Sequence, residues 1–207
     1  MKISYAVTVC NEFVEIQKLI PLLLKLKRSQ DEIVILYDSK NGDKGVDEFL
    51  RAKSINSEII WHSDEFNKHF ADWKNKLSGF CSGDYIFQID ADELVSESLI
   101  NNLPDIFKSN PESDVFLVPR INTVEGLTRQ HIDKWRWKVN DEGWVNWPDY
   151  QGRIYKRSAD IQWKGRVHEK IEGHKQVSML PMHEQLALHH PKTIERQERQ
   201  NNYYDTL

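Results

Sequence analysis

The chain has 207 residues, of which 39% are hydrophobic and 29% charged. That make-up suits a chain that buries a core, and it excludes a disordered tail or a membrane-embedded bundle. The 28 basic and 32 acidic residues leave a formal charge of −4, which excludes a whole-surface electrostatic grip on nucleic acid.

Residues 3–9 form an apolar run rich in β-branched and aromatic side chains, the pattern of a buried strand. No leader-type cleavage pattern precedes Asn11 and Glu12. Asn11 offers a helix cap, and Ile16, Leu19, Ile20, Leu23 and Leu24 recur at helical spacing, with Pro21 expected to kink that helix or delay its start. The apolar run at 19–26 falls far short of the roughly 20 residues that span a bilayer, so no transmembrane segment is expected. Cys10 and Cys81 are too few for a disulfide framework; a cytoplasmic protein is expected. A strand at 33–37, a turn-forming run at 38–43, a helix at 46–52, a strand at 58–61, a helix at 71–80 and a strand at 85–89 follow.

Strand–helix alternation with short connections implies an α/β fold with a central, mainly parallel sheet and helices on both faces. Ligands of such sheets sit beyond the carboxyl ends of the strands. Three of those ends are polar: Cys10-Asn11-Glu12, Asp38-Ser39 and Asp90-Ala91-Asp92. The second half is less regular. A strand is expected near 115–119, little periodicity from 121 to 152, shorter strands at 153–156, 161–163 and 185–189, and a polar helix at 192–204. Neither half alone has much room for a core, so one domain over 1–207 is expected.

Asp90 and Asp92 are the sharpest local signal. In extended chain, side chains two positions apart point the same way. Their mutual repulsion is relieved by an oxygen-preferring divalent cation, Mg²⁺ or Mn²⁺, which also bridges to a diphosphate. Taken alone, the tripeptide reads more simply as a solvated turn.

Its context changes that reading. The segments 4–12, 31–39, 69–77 and 82–93 resemble, in order and separation, the GT-A glycosyltransferases of family 2. Further on, Trp163-Lys164-Gly165-Arg166-Val167-His168-Glu169, the segment 150–157 and Leu186-Ala187-Leu188-His189-His190 resemble a branch of that family with a Val-His-Glu signature, the lipopolysaccharide-core and peptide-glycosylating kind. Lys74 stands where the family usually has Arg, which keeps the charge and loses the planar fork.

The resemblance implies a GT-A fold with a nucleotide-binding half at 1–95 and an acceptor and catalytic half at 96–207. It implies a UDP-sugar donor, with glucose the first expectation, and inverting transfer of the hexose to a hydroxyl acceptor on a glycan, lipid-linked glycan or protein. Nucleic acid is not an expected partner, and an oligomer is allowed. Donor contacts are expected at Val9, Asn11, Glu12, Asp38 (to the base), Lys74, Asn75, Asp90, Ala91 and Arg153. Mn²⁺ or Mg²⁺ is expected on Asp92 directly and on one imidazole, with Asp90 at the metal through water or at the ribose. His189 and His190 face opposite ways on a strand, and the pattern favours His189. Glu169 is the expected base for the acceptor hydroxyl, with His168 orienting it or touching the diphosphate; the plainer alternative pairs Glu169 with Arg166 or Lys170. Trp135, Trp137, Trp144, Trp147 and Trp163 are expected mostly to pack, with one or two facing a sugar. Two other functions stay open: a non-catalytic sugar-nucleotide or glycan binder, and a nucleotidyltransferase, although the Gly-rich basic loop of the latter is missing after the first strand.

Overall fold

The computed structural model describes residues 1–56 and 58–204. In chain order it runs β1 (Ile3–Val9), α1 (Phe13–Leu26), β2 (Glu32–Asp38), α2 (Lys44–Ser54), β3 (Ile60–Asp64), α3 (Phe70–Phe80) and β4 (Tyr85–Asp90). Then come β5 (Leu94–Val95), α4 (Glu97–Ser109), β6 (Val115–Val118), β7 (Arg120–Glu125), α5 (Arg129–Trp135), β8 (Gln151–Lys156), β9 (Gln162–Lys164), β10 (Lys170–Glu172), β11 (Val177–Met179), β12 (Leu188–Thr193) and α6 (Ile194–Tyr204). The main sheet has the order β11-β6-β8-β4-β1-β2-β3. Only β8 runs against its neighbours β4 and β6; the other pairs are parallel.

Both faces are covered because β1 alternates. Ile3, Tyr5, Val7 and Val9 pack with Ile16, Leu19, Ile20 and Leu23 of α1. Ala6, on the opposite face, packs with Trp73 and Leu77 of α3. Period-two strands between period-3.6 helices give this layering directly.

Pro21 neither breaks nor delays α1, which runs through it. Pro21 and Gln17, whose carbonyl loses its donor, are both exposed residues, so the helix tolerates the missing bond on its solvent side. The cap is Glu12 rather than Asn11. The third strand begins at Ile60, two residues later than expected, and extends to Asp64. The strand expected at 185–189 is instead a 3₁₀ turn at Glu184–Leu186 followed by β12. Helix α4 was not anticipated, although Leu99, Ile100, Leu103 and Phe107, all buried, carry helical spacing behind the cap Ser96. The Ser96 hydroxyl accepts the Leu99 N–H at 2.9 Å, satisfying one of the helix's orphan donors. Ser96→Ala is expected to lower the urea-unfolding free energy by about 1 kcal/mol.

A smaller sheet, β5-β12-β7, positions the site. Its strand β12 pairs with β5, placing Leu188 opposite Val95 and His189 opposite Leu94. The C-terminal segment thereby returns to the residues that follow β4. Among the described residues, no helix is long and apolar enough to cross a membrane.

Candidate active site

Strand β4 ends at Asp90, and the chain turns at once: the Glu93 N–H donates to the Asp90 carbonyl at 2.9 Å. Asp92 therefore lies in a turn, and the two carboxylates do not point the same way as extended chain would have them. Asp90 lies between two cations, Arg153 Nη2 at 2.6 Å and Lys74 Nζ at 3.5 Å. Asp92 faces His190 Nε2 at 3.3 Å, Arg196 Nη2 at 3.4 Å and Lys192 Nζ at 3.8 Å. Burial alone would raise both carboxyls. Their partners outweigh it and hold both well below the usual carboxylate range: Arg153 and Lys74 for Asp90, and the His190 contact with the Lys192 and Arg196 charges for Asp92.

Lys74 links the two halves of the site. It sits on α3, buried, with its ammonium 4.5 Å from the centre of the Trp163 ring, and it reaches Glu169 Oε1 at 2.7 Å. Glu169 closes the loop between β9 and β10, which pair with Lys164 opposite Lys170. Gly165 and His168 in that loop have positive φ, 101° and 56°, a conformation glycine adopts freely and histidine uncommonly. The loop is tied back to α3's start, since the Phe70 N–H donates to the Arg166 carbonyl at 3.0 Å. The expected alternative partners of Glu169, Arg166 and Lys170, are not its ion-pair partners; Lys74 is.

Residues 4–176 match the description Glycosyl transferase family 2. The chain belongs to glycosyl transferase family 2. Among solved structures it is similar to S. aureus TarS 1-349 in complex with UDP-GlcNAc, with a TM-score of 0.64 and 14% identity over 93% of this chain and 59% of that one. The same protein in complex with UDP gives 0.64 and 13% over 92% and 60%. Full TarS gives 0.64 and 15% over 97% and 38%. At these identities the likeness is one of fold, and this chain spans less than two thirds of the length of those structures.

Several residues expected at the site of this family 2 chain do other work. Asn75 pairs its amide with the backbone of β9: Nδ2 donates to the Trp163 carbonyl at 2.9 Å and Oδ1 accepts the Trp163 N–H at 2.8 Å. It anchors the strand that leads to Glu169. The buried Asp38 carboxylate accepts the N–H groups of Lys40 and Phe66 and the side chain of Asn41; it shapes its own loop and is not turned outward. Val9 lies at the end of β1 with its side chain in the core, Ala91 is buried in the turn after β4, and Asn11 is exposed. Glu12 accepts the Cys10 and Asn11 N–H groups at 2.8 and 3.1 Å. Burial lifts its carboxyl above the ordinary value despite the Cys10 hydrogen bond.

The histidine that reaches Asp92 is His190, not His189. Leu188, His190 and Lys192 share one face of β12, and His189 lies on the other, as strand alternation requires. His168 is exposed in its loop. Lys192, Arg196, Glu93, Arg120, Asn122 and Asp149 were not anticipated. Arg196 lies four residues beyond Lys192 and also pairs with Glu12 at 3.6 Å and with Glu15. Of the tryptophans, Trp163 is core, Trp135 and Trp137 pack on each other at 4.6 Å, and Trp144 and Trp147 at 5.1 Å.

Arg153 is buried and its Nη2 also meets Glu93 Oε1 at 2.6 Å, so it holds the Asp-x-Asp turn from behind. Arg153→Met strips the buried Glu93 and the half-buried Asp90 of a partner, although Lys74 and Arg120 remain. The expected loss is about 3 kcal/mol in urea unfolding. Unchanged stability with weaker UDP binding would instead make Arg153 a donor ligand.

Proposed function

We propose that this chain transfers a hexose, glucose in the first instance, from a UDP-sugar to a hydroxyl acceptor with inversion, using Mn²⁺ or Mg²⁺. The single observation that carries the reading is the convergence of two pairs on the end of β4: Lys74 bridging Asp90 and Glu169, and Asp92 facing His190. The fold likeness to a protein crystallised with UDP-GlcNAc and with UDP supports the donor class.

The residues present fit a divalent cation. Asp92 Oδ2 and His190 Nε2 are 3.3 Å apart, close to the roughly 3 Å between neighbouring ligand atoms around a small octahedral ion. Among the described residues, no three His, Cys, Asp or Glu side chains gather at one point. Mg²⁺ is usually held by one or two carboxylates, with the rest from substrate phosphates and water; here Asp92 would supply the carboxylate and His190 an added imidazole. When bound, the ion supplies Lewis-acid stabilisation of the departing diphosphate.

The protein's own residues then divide the work. Lys192 and Arg196 carry positive charge to the side of Asp92 where a diphosphate arrives, so that leaving-group charge meets fixed cations. Glu169 takes the proton of the attacking hydroxyl on Oε2 while Lys74 holds Oε1, fixing the carboxylate's orientation. Residues 1–95 form the nucleotide half, and 96–207 supply the base and the acceptor side.

A thermal-shift panel of UDP-sugars, with and without Mn²⁺, tests this reading. A ligand at 100 times its dissociation constant stabilises by about 2.7 kcal/mol. The preferred UDP-sugar should raise the melting temperature, more with Mn²⁺ than without, and should be consumed when an acceptor is present. A chain that no UDP-sugar stabilises would overturn the reading.

A further inference from the structure

We propose that Asn122, itself oriented by Asp149, is a positioning residue that fixes His190 in the form carrying its proton on Nδ1 and turns its Nε2 toward Asp92. The inference rests on the proposed role of Asp92 and His190 in holding a divalent cation.

Its starting point is a strand register. In the β7–β12 pair, Asn122 lies directly across from His190. Asn122 Oδ1 and His190 Nδ1 are 2.8 Å apart, and Asn122 Nδ2 donates to Asp149 Oδ2 at 2.8 Å. An amide can be turned end for end, so its orientation must be argued from its neighbours. Asp149 decides it. That carboxylate accepts Arg120 Nε at 3.0 Å and Nη2 at 2.7 Å, and Gln151 Nε2 at 2.7 Å. Four contacts from donors require an ionised, acceptor-only group. Reversing Asn122 would press its carbonyl oxygen against that carboxylate, acceptor to acceptor. The amide nitrogen therefore faces Asp149, and the carbonyl oxygen faces His190.

The imidazole has no choice left. A carbonyl oxygen at 2.8 Å requires an N–H, so Nδ1 carries the proton. A neutral ring then has its lone pair on Nε2, and Nε2 looks at Asp92 Oδ2 across 3.3 Å. Two electron-rich atoms at that separation need a cation between them, either a proton or a metal ion. Asn122 thus supplies the outer hydrogen bond that fixes the ring and tautomer of a metal-ligating histidine.

The contacts continue behind the turn. Arg120 Nη1 reaches Glu93 Oε1 at 3.0 Å, and Glu93 shares Arg153 with Asp90. A continuous run of side-chain contacts, Asp90–Arg153–Glu93–Arg120–Asp149–Asn122–His190–Asp92, thereby joins the two carboxylates of the Asp-x-Asp turn from behind. Asp149 closes the long excursion after β7, which gives that poorly periodic segment a role at the site: it delivers the group that sets the amide.

Two measurements test the proposal. Long-range ¹H–¹⁵N NMR on the labelled native protein, with His190 assigned by the signal lost in His190→Gln, reads which ring nitrogen is protonated without metal or donor. The expected result is a protonated Nδ1, whatever Nε2 carries; an unprotonated Nδ1 overturns the proposal with no variant needed. Calorimetry then measures Mn²⁺ affinity in the presence of UDP for native protein, Asn122→Leu and Asp149→Asn. Asp149→Asn permits the Asn122 amide to reverse, which should shift the His190 proton toward Nε2. Both variants should lose roughly 10–100-fold in Mn²⁺ affinity. Variants with native tautomer and native affinity overturn the positioning role. Failure of the underlying metal reading looks different, because the native protein itself then binds no Mn²⁺ with UDP; a protonated Nδ1 lost in Asp149→Asn would still establish Asn122 as the group that orients His190.

Discussion

Glutamine in place of Glu169 is expected to leave UDP binding intact and to lower turnover roughly 10²–10⁴-fold, the contribution of a positioned general base. The substitution keeps shape and removes the ability to take a proton. Lys74 can still meet the amide oxygen, and it retains Asp90 at 3.5 Å, so its buried ammonium is not stranded. The loop is held by contacts that do not involve the carboxylate: the Arg166 carbonyl accepts the Phe70 N–H, and Arg166 Nε donates to the Lys68 carbonyl at 3.1 Å. Calorimetry with UDP and a product assay with the preferred donor separate the outcomes. Unchanged turnover would place the base elsewhere. Joint loss of UDP binding and turnover would make Glu169 a strut for Lys74. A native chain that binds donor but never consumes it would favour the non-catalytic reading, and the substitution would then change nothing.

Much of the first half was legible from residue order because each local pattern agreed with its place in the sheet. Residues 3–9 carry Ile3, Tyr5, Val7 and Val9 on one side and the small Ser4, Ala6 and Thr8 on the other, and β1 is buried between layers on both sides. Strand β3 fits its expected span less well because it is an edge strand: Ile60 is 44% exposed, and an edge strand has no need of the apolar run that marks a central one. Helix α4 was readable and missed. Its spacing and its Ser cap are ordinary, and it begins directly behind the acidic turn after β4.

The site divides similarly. Asp90, Asp92, Lys74 and Glu169 could be proposed from sequence since each sits in a motif. Glu93, Arg120, Asn122 and Asp149 could not, because their role comes from contacts between positions 27–68 residues apart. The choice between His189 and His190 turned on strand parity. It needed the register of β12 against β5 and β7, and a pattern in one strand does not contain the register of a pair. Asn75 and Asp38 make a related point: a polar side chain at a strand or helix end serves backbone groups as well as ligands, and those internal bonds come from the fold rather than from the motif.

Asp92→Asn is expected to abolish the gain in UDP affinity that Mn²⁺ confers while leaving the metal-free affinity near native or higher. The carboxylate is one of the two protein groups proposed to hold the ion, and an amide oxygen without charge is a far weaker ligand for a hard divalent cation. The metal-free direction follows from the surroundings. In the native protein Asp92 competes for Arg196, Lys192 and His190; neutralising it frees those groups for a diphosphate and removes a negative charge from its path. Arg196 keeps Glu12 and Glu15, and Lys192 keeps Gln200, so the cations remain anchored and the fold should persist. Titrations of UDP with and without Mn²⁺, on native and Asp92→Asn protein, resolve the two effects. An equal Mn²⁺ gain in both proteins would remove Asp92 from the metal site. A metal-free affinity that collapses in the variant would mean that Asp92 acts on the donor directly, through its sugar or ribose hydroxyls, rather than through a cation.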